Sequence, residues 1–330
     1  MISRKIFIGL LLLVLILVMI PGCATSEINI IELVPENANL LASIQVGQMV
    51  SDQALRGAYE GIEKDPDMPP KVEEALDEVL EKTGIDLREV SQAVVFADIT
   101  DMGTMDVEEY LGILVEGNFN EELIIDRIEE NGEMDFTIST YSEYKIYIDQ
   151  EEEFTITFLS EKILLAGSKK AVYDAIDVSK GEKKKVSGIL LDTYNRFGDV
   201  MIKLAIGIPE EERQSMAEEP ITEDMPISFE AFSDLETVGF ALSKSIETIT
   251  IQLDCHFSNT ESATNARDTL SGAVTLFKGM SPDVEMNPLL KPLLSKIEVD
   301  SEGPWVTIDL SITLTEIEEM TRTFQTTQIP

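Results

Sequence analysis

Two cysteines, one histidine and one tryptophan in 330 residues leave little of the chemistry that a sequence can display. Cys23 and Cys255 are the cysteines, and no Cys-x-x-Cys pair, His-Glu-x-x-His segment, Gly-x-Ser-x-Gly elbow or glycine-rich phosphate loop occurs. Without clustered thiols or imidazoles the chain offers no ligand set for zinc or an iron-sulfur cluster. Ser-His-Asp chemistry would have to use His256, the one histidine. Alternation along its strand sends His256 and Cys255 to opposite sides, so the two do not form a Cys-His dyad. The reading is a water-facing histidine beside a core thiol, with no catalytic residue, no cofactor and no metal expected.

Basic charge is also scarce, with 25 Lys and Arg against 62 Asp and Glu for a formal net charge of −37. A chain this acidic lacks the basic face that displaces counterions from a polyanion, which excludes nucleic acid as a partner and argues against adsorption to anionic lipid. Lys183-Lys184-Lys185 is a short exception and reads as part of a polar turn over 180–185. Carboxylates are abundant, but abundance carries no spacing. Residues 98–109 place Asp98, Thr100, Gly103, Asp106 and Glu109 at EF-hand-like positions 1, 3, 6, 9 and 12. Met102 occupies position 5, where an oxygen belongs, and a strand precedes the stretch where a helix is required. The expectation is a polar hairpin connection and not a calcium site.

What is present begins at the N-terminus. Arg4 and Lys5 precede a run of fifteen apolar or glycine residues from Ile6 to Ile20, and Ile20-Pro21-Gly22-Cys23 closes it. A spanning helix needs about 20 such residues, whereas a signal-peptide core needs roughly 7 to 15. The closing tetrapeptide resembles a lipobox, which implies cleavage before Cys23 and lipidation of its thiol. The alternative is an uncleaved N-terminal anchor. Either way the body is expected outside the cytoplasm, lipid-anchored to a cell membrane or outer membrane, since two acyl chains give the stable attachment that one does not. Losing residues 1–22 removes Arg4 and Lys5 and takes the formal net charge to −39. With Cys23 lipidated, Cys255 has no intramolecular partner and no disulfide is expected.

The mature body reads as α+β, with antiparallel sheets and helices covering one face. Residues 23–32 read as a tether, 33–180 as a first half and 181–330 as a second. Leu40 to Val46, Ala93 to Ala97, Leu111 to Gly117 and Val200 to Ile208 read as strands, and Lys71 to Lys82 as a helix stopped by Gly84. Period-two alternation is clearest in Ile249 to Phe257 and Val306 to Thr313, where Asp254 and His256 fall on the side expected to face water. Capping-box spacing follows several strands, at Asn118 to Glu121, Ser258 to Glu261 and Thr313 to Glu316. An offset of 140 residues aligns Ile113 and Val115 with Leu253 and Cys255, and Arg127 with Arg267, which points to a duplicated ββα-containing unit. Glu210 to Pro226 lacks apolar periodicity and reads as a surface excursion, with a lid or docking segment as the alternative. Leu289, Leu290, Leu293 and Leu294, with Met280 and Met286, read as a helix covering a sheet, with an adaptable apolar ligand surface as the alternative.

The lipobox, Leu33-Val34-Pro35-Glu36-Asn37-Ala38, Thr83-Gly84-Ile85-Asp86 before a short apolar strand, and the alternating ββα halves together resemble exported prokaryotic lipoproteins of a domain-of-unknown-function family. That resemblance implies an address and a fold, and no reaction. The functional expectation is a lipid-anchored envelope protein acting as a non-enzymatic binding or interaction module, whose partner is an unknown protein or hydrophobic ligand. The alternative is a carrier holding a lipid or other apolar ligand between sheet and helices, and a carboxylate-dependent hydrolase stands third.

Overall fold

A computed structural model describes residues 29–53, 56, 71–100, 110–131, 134–149, 154–218, 229–279 and 290–317. The chain divides into two compact units, residues 1–187 and 188–330. The fold is α+β, and the strand pairings within each unit are antiparallel.

The first unit runs β1 (Leu40–Ile44), α1 (Val46–Ser51), α2 (Val72–Thr83), β2 (Gln92–Ala97), β3 (Leu111–Glu116), α3 (Glu121–Glu130), β4 (Phe136–Tyr141), β5 (Tyr144–Asp149), β6 (Thr155–Ser160), β7 (Ile163–Gly167) and α4 (Lys169–Ser179). Its strands lie in the order β1-β2-β3-β7-β6-β5-β4. The core is closed: Leu41, Val94, Phe96, Leu114, Ile146 and Leu165 are buried, as are Ala171, Val172, Ala175 and Ile176 along α4. Gly84 ends α2 at a φ of 71°, donating its N–H to the Leu80 carbonyl, the left-handed closure that glycine accepts without steric cost.

Two boundaries differ from the sequence reading. Ile30 and Ile31 are buried in a 3-10 turn (Ile30–Leu33) capped by the Asn29 side chain, so the folded body starts inside the stretch read as tether. Residues 181–187 belong with the first unit and not the second. Val186 donates to the Val34 carbonyl at 2.7 Å and Glu36 to the Lys184 carbonyl at 3.0 Å, which fastens this segment beside the start of the fold.

The second unit runs α5 (Ile189–Asn195), β8 (Ile202–Gly207), α6 (Glu210–Glu218), β9 (Leu235–Lys244), β10 (Thr248–Phe257), α7 (Thr260–Gly279), α8 (Leu290–Ser295), β11 (Glu298–Glu302) and β12 (Trp305–Thr313). Its strand order is β8-β9-β10-β12-β11. The stretch Glu210 to Glu218, read as an excursion, is helical. Acidic residues in the first turn and good helix formers supply propensity where amphipathic pattern is lacking; residues 219–226 lie outside the described residues.

One connectivity recurs in both units. Three meandering strands lead to a helix, and the chain then returns so that its last strand pairs with the third: β7 with β3, and β12 with β10. A capped helix follows that last strand in each case, with Ser168 accepting from the Ala171 amide and Thr313 from the Glu316 amide. The 140-residue offset sets β3 on β10, the same position in this order. The caps of α3 and α7 are Asn120 and Asn259, not Asn118 and Ser258. Their carboxamides accept from the Leu123 and Ser262 amides at 3.1 and 2.9 Å.

Candidate ligand-binding face

The two sides of the second unit's sheet are populated against the usual rule. Pairing sets Ile251 between Leu242 and Leu310, Leu253 between Phe240 and Ile308, and Ile202 and Leu204 beside Leu242 and Phe240. All of these large apolar side chains share one side, and all are only half-buried. The opposite side of β8 and β9 carries Lys203, Ala205, Thr237, Gly239 and Ala241, and every one of those is buried. Buried cores ordinarily take the large apolar residues, so this distribution is the reverse of the usual one.

Two helices produce this inversion. α5 lies on the small-residue side, where Phe197 and Thr193 reach so close to Gly239 that a Cβ there would stand 2.7 Å from the Phe197 ring. α7 covers the apolar side over β10, β11 and β12. Its first half sits close because Ala263 and Ala266 are small, and there Cys255, Phe257, Val306 and Leu235 form a closed cluster with them. Further along, Leu270 and Val274 are half-buried and Leu276 is 53% exposed. Among the described residues the apolar side is therefore sealed at one end and only half-buried along Ile202, Leu204, Phe240, Leu242, Ile251 and Leu253. Burial in the sealed end pushes the Cys255 thiol up to about 12, which keeps it protonated and unreactive.

The side of β10 that alternation assigned to water is instead roofed near its end. Asp254 has no exposure; its Oδ2 accepts from Arg196 Nε at 2.6 Å, and its Oδ1 accepts from Thr307 Oγ1 at 2.9 Å and Gln252 Nε2 at 3.0 Å. Arg196 also lies over the Trp305 ring, 4.1 Å from its centre, and His256 meets that ring edge-on at 4.5 Å. His256 Nδ1 is 3.1 Å from Glu236 Oε2, so the one histidine is a packed member of this layer and not a water-facing residue. Alternation gives a side chain's direction but not what covers it, and here Arg196, just past α5, supplies the cover. Lys203 belongs to the same side, donating to the Gly198 carbonyl at 2.7 Å and lying 4.1 Å from the centre of the Tyr194 ring; burial lowers its pKa. Cys255 and His256 stand on opposite sides, and among the described residues of this layer no nucleophile is brought to a base.

The remaining residues singled out in the sequence are dispersed. Cys23, the signal segment, residues 101–109, residues 280–289 and with them Met280, Met286 and Leu289 lie outside the described residues. Asp98 Oδ1 accepts from the Asn39 side chain, from the Thr100 amide and from the Thr100 hydroxyl, so both Asp98 and Thr100 are engaged in closing a turn. Among the described residues no group of three or more His, Cys, Asp or Glu side chains is placed to hold a metal ion. Lys183 pairs with Asp174 and Asp177, Lys184 with Glu36 and Lys185 with Glu32, so the basic cluster is spent on pinning 181–187 to the first unit. Leu293 and Leu294 are half-buried in α8, which packs on α7. The inverted apolar face itself escaped the sequence reading, although the alternation of β9, Val238, Phe240 and Leu242 against Thr237, Gly239 and Ala241, is visible in the residues.

No protein-family model matches the chain, and no curated protein matches it in sequence. Among solved structures it is similar to crystal form III of TP0453, at 8% identity over 91% of this chain and 100% of that one with a TM-score of 0.47. Crystal form I of TP0453 matches at 9% identity over 90% and 98% with a TM-score of 0.44. Crystal form IV matches at 6% identity over 90% and 97% with a TM-score of 0.46.

Proposed function

We propose that this protein is a non-enzymatic binding protein of the cell envelope, lipid-anchored through Cys23, that holds an apolar ligand such as an acyl chain against the open side of the second unit's sheet. The inversion of β8 and β9 supports this reading: Ile202, Leu204, Phe240 and Leu242 are left half-open while Ala205, Gly239 and Ala241 are buried. A sheet built only for stability would put the large side chains of β8 and β9 on the side that α5 covers, because buried apolar area is what stabilises. No charged side chain lies among the open residues Ile202, Leu204, Phe240, Leu242, Ile251 and Leu253, so recognition there is of hydrocarbon and not of a headgroup. A sparse set of polar groups also leaves selectivity to chain length and shape. Native mass spectrometry of the protein after mild purification tests the reading. A retained apolar molecule, lost when Leu242→Gln and Phe240→Gln are combined, supports it; a bare protein from every preparation contradicts it.

A further inference from the structure

The sheet strands that end each unit's order are guarded very differently. β11, Glu298–Glu302, carries Glu298, Asp300 and Glu302, all exposed, and charges of this kind keep other strands from pairing with an edge. β4, Phe136–Tyr141, reads Phe-Thr-Ile-Ser-Thr-Tyr. It has no charge and no proline, in a chain where 26% of residues are charged. Thr137, Ile138, Ser139 and Thr140 are exposed, and Ile138 is 61% exposed, a large β-branched side chain standing in water on an open edge.

The register says which groups have no strand partner among the described residues. Tyr141 pairs with Tyr144 across a two-residue turn, Ser142 and Glu143 at φ of 48° and 73°, the primed type that closes a tight hairpin. Hydrogen bonding alternates from that closing pair, so Tyr141, Ser139 and Thr137 bond to β5. Phe136, Ile138 and Thr140 direct their N–H and C=O groups to the open side. These three lie symmetrically about Ile138. We propose that β4 is a self-association edge at which two copies of this chain pair antiparallel about a two-fold axis through Ile138. Ile138 then faces its own counterpart, Phe136 faces Thr140, and Thr137 faces Ser139, with every outward backbone group satisfied and no charge opposing another. The occupant is a second copy because the outward pattern is its own complement, and because a neutral strand is where two chains of net charge −37 meet with least repulsion. One added strand buries a small area, so the dimer is a weak one that tethering in a membrane plane would favour. The inference is independent of the apolar face in the second unit.

Sedimentation equilibrium of the full chain in mild detergent, from about 1 µM to about 1 mM, tests it. A monomer–dimer equilibrium that tightens with added salt is expected, since screening relieves repulsion between acidic copies. Ile138→Lys, at an exposed site where the circular dichroism spectrum stays unchanged, weakens it at least about tenfold by setting like charges face to face. Under oxidation Ile138→Cys gives a disulfide-linked dimer, because paired Cα atoms about 5.5 Å apart suit a disulfide, while Thr137→Cys, displaced by two residues from its twin, gives none beyond the unsubstituted chain. A monomer at all concentrations, a dimer indifferent to Ile138→Lys, or equal cross-linking at 137 and 138 overturns the proposal.

Discussion

Arg196 and Asp254 are joined across the small-residue side of the second unit's strands, Nε to Oδ2 at 2.6 Å, with the carboxylate wholly out of solvent. This pair holds the cover on one side of β10 and leaves the large apolar residues to the other. Arg196→Ala strands a buried carboxylate with two neutral donors, Gln252 and Thr307, and is expected to cost about 3 kcal/mol or more. Asp254→Asn keeps the shape and most of the hydrogen bonding and costs less, about 1–2 kcal/mol. Urea denaturation of both variants checks the order; an Arg196→Ala protein as stable as the parent removes the pair from the account.

Two glycines of the second unit separate packing from backbone effects. Gly239 lies under Phe197 and Thr193, and Gly239→Ala must displace one of them, at about 1–3 kcal/mol. Gly272, within α7, has nothing near its missing Cβ, so Gly272→Ala raises stability by about 0.5–1 kcal/mol through helix propensity. Thermal unfolding of the two variants should move in opposite directions.

Cys255 is buried between Phe257, Ala263 and Val306, with its thiol pushed up to about 12. A thiol reagent at pH 8 therefore fails to label it in the native protein and labels it fully in denaturant. If Cys23 carries lipid, the native protein shows no reactive thiol and the unfolded protein shows one. Rapid native labelling at Cys255 would mean that the sealed end of the apolar face opens freely.

Glu316 offers a pH test with a defined sign. Its hydrogen bond with Lys296, followed by the Thr313 amide and hydroxyl, lowers its carboxyl to about 2 from 4.5. The folded value is depressed, so the contribution is complete above the unfolded value near 4.5 and is lost as pH falls toward about 2. The protection factor of the Thr313 amide, which donates to Glu316 at 2.9 Å, should fall through that window once exchange is referred to the intrinsic rate at each pH. Glu316→Gln should remove the pH dependence there.

The strongest periodicities were legible in the residues. Ile249 to Phe257 and Val306 to Thr313 read as strands, and β10 and β12 occupy Thr248–Phe257 and Trp305–Thr313. The Thr313-Leu314-Thr315-Glu316 capping box forms with both reciprocal bonds. Strands β4, β7, β9 and β11 and helices α4 and α5 went unread: β7 is a short continuous apolar run, and Phe136 to Tyr141 offers only Phe136 and Ile138 as an apolar alternation. The reading of Asp254 and His256 as water-facing failed for a tertiary reason, because the residues that cover them, Arg196 and Trp305, are far away in sequence. The open apolar face was unread for the same reason. Alternation marks an apolar side, and which side a helix seals depends on where α5 and α7 pack.

The measurement that bears most directly on the central claim is calorimetric titration of the protein with alkyl-chain ligands of increasing length and constant headgroup. If the face along Ile202, Leu204, Phe240, Leu242, Ile251 and Leu253 takes hydrocarbon, each added methylene strengthens binding by up to about fourfold until the face is filled, at about 0.8 kcal/mol per buried CH₂. The heat-capacity change is then negative, and Leu242→Gln weakens the long chains more than the short ones. Affinity that does not change with chain length, or that survives Leu242→Gln and Phe240→Gln together, would contradict an apolar ligand at this face.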